Sequence, residues 1–136
     1  MGREEAFREL ETLYADLELE LAALKPRCEL SSRCCRFNEF GHQLWTTGLE
    51  VDYLLARERA PGPLPEGTCP YLQEGRCSVR DHRMLGCRIF FCDPGYKDAM
   101  GPLYERHHRA VKEIHVRHGI DYRYGEFLGE LRRRGF

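Results

Sequence analysis

Apolar residues recur at alternating steps of three and four in the first part of the chain, over residues 4–24. The repeating positions are Phe7, Leu10, Tyr14, Leu17, Leu21 and Leu24. This spacing puts one apolar stripe on an α-helix whose other face is rich in Glu and Asp. Pro26 ends the predicted helix just before the first cysteine. Because three heptads are few for a coiled coil, we expect the stripe to pack on the protein's own core; a seam for a partner helix is the alternative.

A second helix is marked by a capping box, in which Thr47 is followed three residues later by Glu50. The apolar pattern carries this helix to about residue 59, and a short strand is predicted just before it, at 42–46. Prolines and glycines then break the chain in "APGPLPEG" (60–67). We interpret that stretch as a surface connector between two cysteine-bearing halves, since neither half has enough apolar surface alone.

The C-terminal part of the chain returns to helical periodicity. A long helix is predicted over 98–118, stopped by Gly119, and a short final helix over 121–134 with Asp121 near its cap. Residues 68–96 show little periodicity, which indicates backbone organised around a site more than around a ladder of hydrogen bonds.

Composition sets limits on the function. The chain has 136 residues, 42% of them hydrophobic and 32% charged, and a net charge of −1, which is typical of one globular domain. We therefore expect neither nucleic acid nor a membrane as a partner, and interpret the basic "RRR" at 132–134 as a solvated helix end. No apolar run is long enough to span a bilayer, and the acidic N-terminus has no signal-peptide core, so a cytoplasmic location is expected.

The cysteines form two groups. They are Cys28, Cys34 and Cys35, then, after a gap of 33 residues, Cys69, Cys77, Cys87 and Cys92. Thiols stay reduced in the cytosol and seven is an odd number, so a disulfide framework is not expected. Binding a shared metal ion is a physical reason for a fold to gather thiolates, because a cation relieves their mutual repulsion. The alternative for each cysteine is a small buried hydrophobic residue.

Four segments together resemble the CxxCxxCC (YkgJ-like) cysteine-cluster family. They are "CELSSRCC" (28–35), "CPYL" (69–72), "GRCSV" (75–79) and "RMLGCRIF" (83–90). In the first segment Cys28, Cys34 and Cys35 fall at the first, third and fourth cysteines of the family pattern. Ser31 stands where the second cysteine would be, and Met84 replaces a usual proline. The resemblance covers residues 28 to about 92.

The resemblance implies chelation of zinc or iron, often labelled as an iron–sulfur oxidoreductase. We expect a single domain over 1–136 that is mostly α, with a small α+β arrangement as the alternative. Metal would staple irregular cysteine-bearing loops flanked by N- and C-terminal helices. The leading prediction is an iron–sulfur cluster or iron used for electron transfer or a redox step with a redox or protein partner. The alternatives are a zinc-stapled structural or interaction module, and metal delivery or sensing.

All seven cysteines are candidate ligands. The order of preference places Cys28, Cys35, Cys69, Cys77 and Cys87 first, then Cys34, and Cys92 last. Adjacent side chains diverge along an extended backbone, so two cysteines in a row suit two irons or two nearby metals better than one zinc. Ser31 marks either an open coordination position or a ligand that this protein does without.

Other side chains have secondary roles in this prediction. Arg83 and Arg88 are candidates to screen the thiolate charge or hold an anionic substrate, with a salt bridge to an acid as the alternative. Four histidines are secondary candidate ligands. They are His82, which follows Cys77 closely, and His108, His115 and His118, of which the last two could share a metal. A solvated or half-buried helix face is the preferred interpretation of the last three.

Overall fold

The structure is a computed structural model, and it describes residues 2–24, 44–74, 76–89 and 96–136. In chain order, its elements are α1 (Gly2–Leu24), β1 (Trp45–Thr47), α2 (Gly48–Arg57), β2 (Leu72–Gln73), β3 (Arg76–Cys77), a 3₁₀ turn (Arg80–His82), α3 (Leu85–Ile89), α4 (Lys97–Arg117), β4 (Tyr124–Glu126) and α5 (Phe127–Arg133). The fold is mostly α, as predicted. Two short antiparallel strand pairs, β1–β4 and β2–β3, accompany the helices.

The first helix is confirmed, and its apolar stripe packs on the protein's own core. All stripe positions from Phe7 to Leu21 are buried, whereas Leu24 at the end of the helix is 48% exposed. The stripe meets α4 through Leu103, Val111 and Ile114, and α2 through Leu49 and Tyr53. These contacts within the chain account for the periodicity without a partner helix.

The capping box at the start of α2 is also confirmed. Thr47 Oγ1 accepts from the backbone N–H of Glu50 at 3.4 Å, and the Glu50 carboxylate accepts from the N–H of Thr47 at 3.2 Å. The strand before it lies at Trp45–Thr47 and pairs with β4, with Thr46 opposite Gly125. In the described residues the strand covers Trp45–Thr47, so it lies closer to α2 than the predicted range 42–46.

The prediction for the final helix was wrong in its first half. Over 121–134, only the second half is helical: α5 begins at Phe127, and Glu126, not Asp121, caps it. The three residues before Phe127 form β4 because β1 offers backbone partners, and the strand pairing continues into a bond from the Phe127 N–H to the Leu44 carbonyl at 2.8 Å. A tertiary pairing therefore overrides the local helical pattern.

The long helix α4 matches its prediction closely. It ends at Arg117, and Gly119 has a φ of +64°, the left-handed conformation in which glycine ends helices without strain. Within the described ranges, no helix combines the length and the apolar character needed to cross a bilayer.

The buried side chains form two apolar clusters. The first joins α1, α4 and part of α2. The second, here called the cysteine cluster, joins α2, α5, the β2–β3 hairpin and α3, and contains Cys69, Cys77 and Cys87 with residues such as Leu54, Tyr71, Met84 and Phe127. The second half of the molecule therefore places three of its cysteines on one core.

Candidate cysteine site

Three of the predicted ligands can be placed. Cys69 and Cys87 are 6% and 7% exposed, and Cys77 is half-buried at the edge of the same cluster. The other four predicted ligands and Ser31 lie outside the described residues, as does the whole of the first family-like segment, 28–35. The structure thus places the cysteines of three separate family-like segments, "CPYL", "GRCSV" and "RMLGCRIF", on one apolar cluster.

A tight hairpin positions Cys69 and Cys77. The backbone N–H of Leu72 donates to the Cys69 carbonyl at 3.1 Å, and Leu72 pairs with Cys77 across the two strands. The Tyr71 carbonyl accepts twice from Ser78, from its backbone N–H at 2.9 Å and from its hydroxyl at 2.6 Å. Burial, followed by the charge of the Cys69 thiolate, raises the pKa of Tyr71 to about 12. Tyr71 is therefore a neutral, fixed wall of the cluster.

The short helix carrying Cys87 is held by a buried carboxylate. Glu50 is 1% exposed, and its Oε1 accepts from the backbone N–H of Leu85, the first residue of α3, at 2.6 Å. The same oxygen accepts from the Tyr14 hydroxyl at 2.9 Å, while Oε2 accepts from the Thr47 hydroxyl at 2.9 Å. The sequence predicted Glu50 only as half of a capping box. Its second role, joining α1, α2 and α3, has no local sequence signal because its partners lie 35 or more residues away.

Arg88 has the structural role that its alternative interpretation described. It is 5% exposed, and its guanidinium forms an ion pair with Glu18 at 2.9 Å. It also donates to the carbonyls of Arg83 at 2.8 Å and Asp81 at 2.9 Å, and lies 4.0 Å above the Tyr14 ring. The cation is therefore committed to α1 and to the backbone before α3. Binding of an anionic substrate by Arg88 stays a prediction.

Arg83 also contacts the helix that carries Cys87. Its Nη1 donates to the Cys87 carbonyl at 3.3 Å, and its Nε donates to the Arg80 carbonyl at 3.0 Å. Nη2 lies 4.0 Å from Glu18, the carboxylate that also holds Arg88. The two arginines thus fix the backbone that precedes α3 and, through Arg83, the carbonyl of Cys87.

Burial of the Tyr14 side chain, followed by the nearby Glu50 carboxylate, raises the pKa of the Tyr14 hydroxyl well above its usual value. Tyr14 therefore stays neutral and acts as a hydrogen-bond donor to Glu50. This ties α1, which carries no cysteine in its described length, to the element that carries Cys87.

The histidines are engaged elsewhere. His115 is fully buried: its Nδ1–H donates to the Val111 carbonyl at 3.0 Å and its Nε2 accepts from the Leu49 N–H at 3.3 Å. A carbonyl can only accept and an amide N–H can only donate, so this ring is the neutral Nδ1–H tautomer. The preferred interpretation of His115 as a solvated or half-buried face was wrong, and a metal shared with His118 does not fit this bonding. His118 itself contacts Glu9 on α1.

The described residues alone do not enclose an ion. In the part of the chain that the structure describes, no three Cys, His, Asp or Glu side chains are grouped closely enough to hold a metal. Cys69, Cys77 and Cys87 therefore need further donors from beyond the described ranges to form a complete site. His82 does not supply one here; its Nδ1 lies 2.5 Å from Glu58.

Comparisons with known proteins returned no match: no protein-family model, no curated protein and no solved structure matches this chain. The case for a metal centre rests on the residues and contacts described above.

Proposed function

We propose that this protein binds a metal through cysteine thiolates, in the manner that the CxxCxxCC resemblance implies, and holds an iron–sulfur cluster or iron for a redox step. The observation that carries the proposal is that Cys69, Cys77 and Cys87, from three separate segments of the chain, lie on one apolar cluster. Thiolates are the donors that iron–sulfur clusters and zinc prefer.

The donor set fits a centre of more than three thiolates. Three described cysteines fall short of the four thiolates that clusters usually take, and the remaining four cysteines of the chain supply the difference. The adjacent pair Cys34 and Cys35 favours a centre with more than one metal atom. A bound cluster would supply one-electron chemistry, and the protein's contribution is to fix the start of α3 through Glu50 and the Cys87 carbonyl through Arg83.

A zinc-stapled structural module is the second candidate, and a specific observation favours it. Cys69 and Cys87 are almost completely buried among apolar side chains, which is typical of a closed site without an open coordination position. Both candidates share the same ligands. They differ in metal identity and in whether the bound centre changes oxidation state.

Purification under anaerobic conditions, followed by metal analysis and a visible spectrum, separates these proposals. A brown protein with broad visible absorbance, stoichiometric iron and acid-labile sulfide, bleached by a reductant, supports the cluster. A colourless protein with stoichiometric zinc supports the structural module and rejects the redox step. A folded protein that contains neither metal after growth with both rejects metal binding altogether.

A further inference from the structure

A surface slot of about 410 Å³ lies between α1 and α4, away from the described cysteines. Its floor is apolar and is formed by Leu13, Ala110 and Ile114, of which Leu13 and Ile114 are buried. This volume falls in the range of small-molecule sites, about 300 to 1,000 Å³. The slot is therefore large enough for a compact organic ligand.

The positive charges that line the slot are already neutralised. Towards one end, Glu20 accepts from Arg106 at 2.7 Å and contacts Nε2 of His107 at 2.6 Å. Towards the other end, Glu9 accepts from Arg117. In both places a carboxylate of α1 fixes an arginine of α4, so neither arginine is left as an anion-binding group.

Two other lining carboxylates have no such partner. Asp16 on α1 and Glu113 on α4 line the slot and are exposed, and neither makes an ion pair or hydrogen bond with any residue in the described ranges. These negative charges stand beside an apolar floor. A metal ion would make no contact with the apolar floor, and a neutral apolar ligand would make no ion pair with the carboxylates.

We propose that the α1–α4 slot binds an amphipathic organic cation: an ammonium, amidinium or guanidinium group carried on a compact apolar body. The apolar body contacts Leu13 and Ile114, and the cation is held by Asp16 and Glu113. Cys69, Cys77 and Cys87, the cysteines within the described ranges, do not line the slot, so the slot is separate from the described part of the proposed metal centre.

Benzamidine is a suitable probe because it joins a planar cation to one ring. Titration of the ¹⁵N-labelled full chain should give saturable amide shifts confined to α1 and α4 around the slot. Benzamide, its neutral isostere, should bind at least about tenfold more weakly, and the anion benzoate should give no saturable shift. In Asp16→Asn/Glu113→Gln, benzamidine affinity should fall about five- to tenfold, because exposed charge pairs contribute modestly each.

A matched control removes two charges from the same helices outside the slot. Glu5 and Glu105 are exposed and do not line the slot, so Glu5→Gln/Glu105→Gln should keep the affinity of the unmodified chain. Circular dichroism verifies that both double variants keep their helix content. The proposal is overturned by an equal loss in the control, by equal binding of benzamide, or by the absence of saturable shifts from benzamidine.

Discussion

The α1–α4 pair and the cysteine cluster are stabilised in different ways. α1 and α4 are 23 and 21 residues long, and they join through a continuous apolar stripe with ion pairs along the solvent-exposed edge. In the cysteine cluster, β2 and β3 have two residues each and α3 has five. Elements this short are not stable alone, so buried polar contacts and, by our proposal, a metal must hold them.

The largest expected effect is on the proposed metal centre. Cys69→Ser or Cys87→Ser should lose the metal and unfold the elements around the cysteine cluster, because both replace a buried thiolate by a poor ligand. Cys92→Ser, the ligand ranked last, should keep more metal and a sharper thermal transition. Metal analysis of the three variants under identical anaerobic conditions checks this order, and equal metal content in all three would reject the ranking.

The next effect concerns the carboxylate that joins the two regions. Glu50→Ala leaves the Leu85 N–H, the Tyr14 hydroxyl and the Thr47 N–H buried without their acceptor. We expect the free energy of unfolding to fall by about 3 to 5 kcal/mol, since each unsatisfied buried donor costs about 1 to 3 kcal/mol. Urea denaturation measures the change.

Two variants calibrate that result. Glu50→Gln keeps the shape and one acceptor oxygen, and should lose about half as much stability as the alanine variant. Glu105→Ala removes a carboxylate at an exposed position and should change stability by less than about 0.5 kcal/mol. A similar small change for Glu50→Ala would show that Glu50 does not anchor α3.

Sequence reasoning succeeded where structure is local and failed where it depends on distant partners. The stripe of α1, the Thr47–Glu50 box and the Gly119 stop are short-range signals, and each is confirmed. β4 was missed because its pairing partner lies nearly 80 residues earlier in the chain, at Trp45–Thr47. The local pattern of apolar residues contains no information about a pairing partner so far away in the chain.

The same limit applies to the candidate site. The sequence pattern selected Cys69, Cys77 and Cys87, and the structure places them on one cluster. The sequence pattern did not reveal that Glu50 anchors α3, because a hydrogen bond between residues 35 positions apart produces no local spacing to recognise. His115 could have been found: it follows Ile114 and lies four residues after Val111, two buried positions of α4, which places it near the buried face.

A smaller effect is expected from the arginine that lies between the regions. Arg88→Ala removes the ion pair with Glu18, two bonds to backbone carbonyls and the contact with the Tyr14 ring. The loss should be about 2 to 3 kcal/mol in urea denaturation. Arg88→Lys keeps the charge but not the planar fork, so it should recover only part of that loss. Full recovery by lysine would mean that only charge is needed at this position.

The smallest expected effect is on the pH dependence of stability. It distinguishes the ion pairs of Glu9 and Glu20 at the edge of the α1–α4 pair from the buried Glu50. Hydrogen bonds from His118 and Arg117 lower the pKa of Glu9. Burial raises the pKa of Glu20, but hydrogen bonds from Arg106 and His107 outweigh burial, so the pKa of Glu20 is lowered as well. A carboxylate with a lowered folded-state pKa adds stability above its unfolded pKa, and that stability is lost as the pH falls through the folded value.

The contribution of these two carboxylates to the unfolding free energy should therefore change only on the acidic side, beginning near the ordinary carboxyl pKa of 4.5 and continuing below it. Because both carboxylates are about one-third exposed, each contributes less than about 1 kcal/mol. Glu9→Gln/Glu20→Gln should remove part of this acid dependence while leaving stability at neutral pH within about 2 kcal/mol of the unmodified chain. Urea denaturation from pH 3 to 7 measures both quantities. An unchanged acid slope in the double variant would show that these edge pairs add nothing beyond the apolar stripe, which would sharpen the contrast with Glu50.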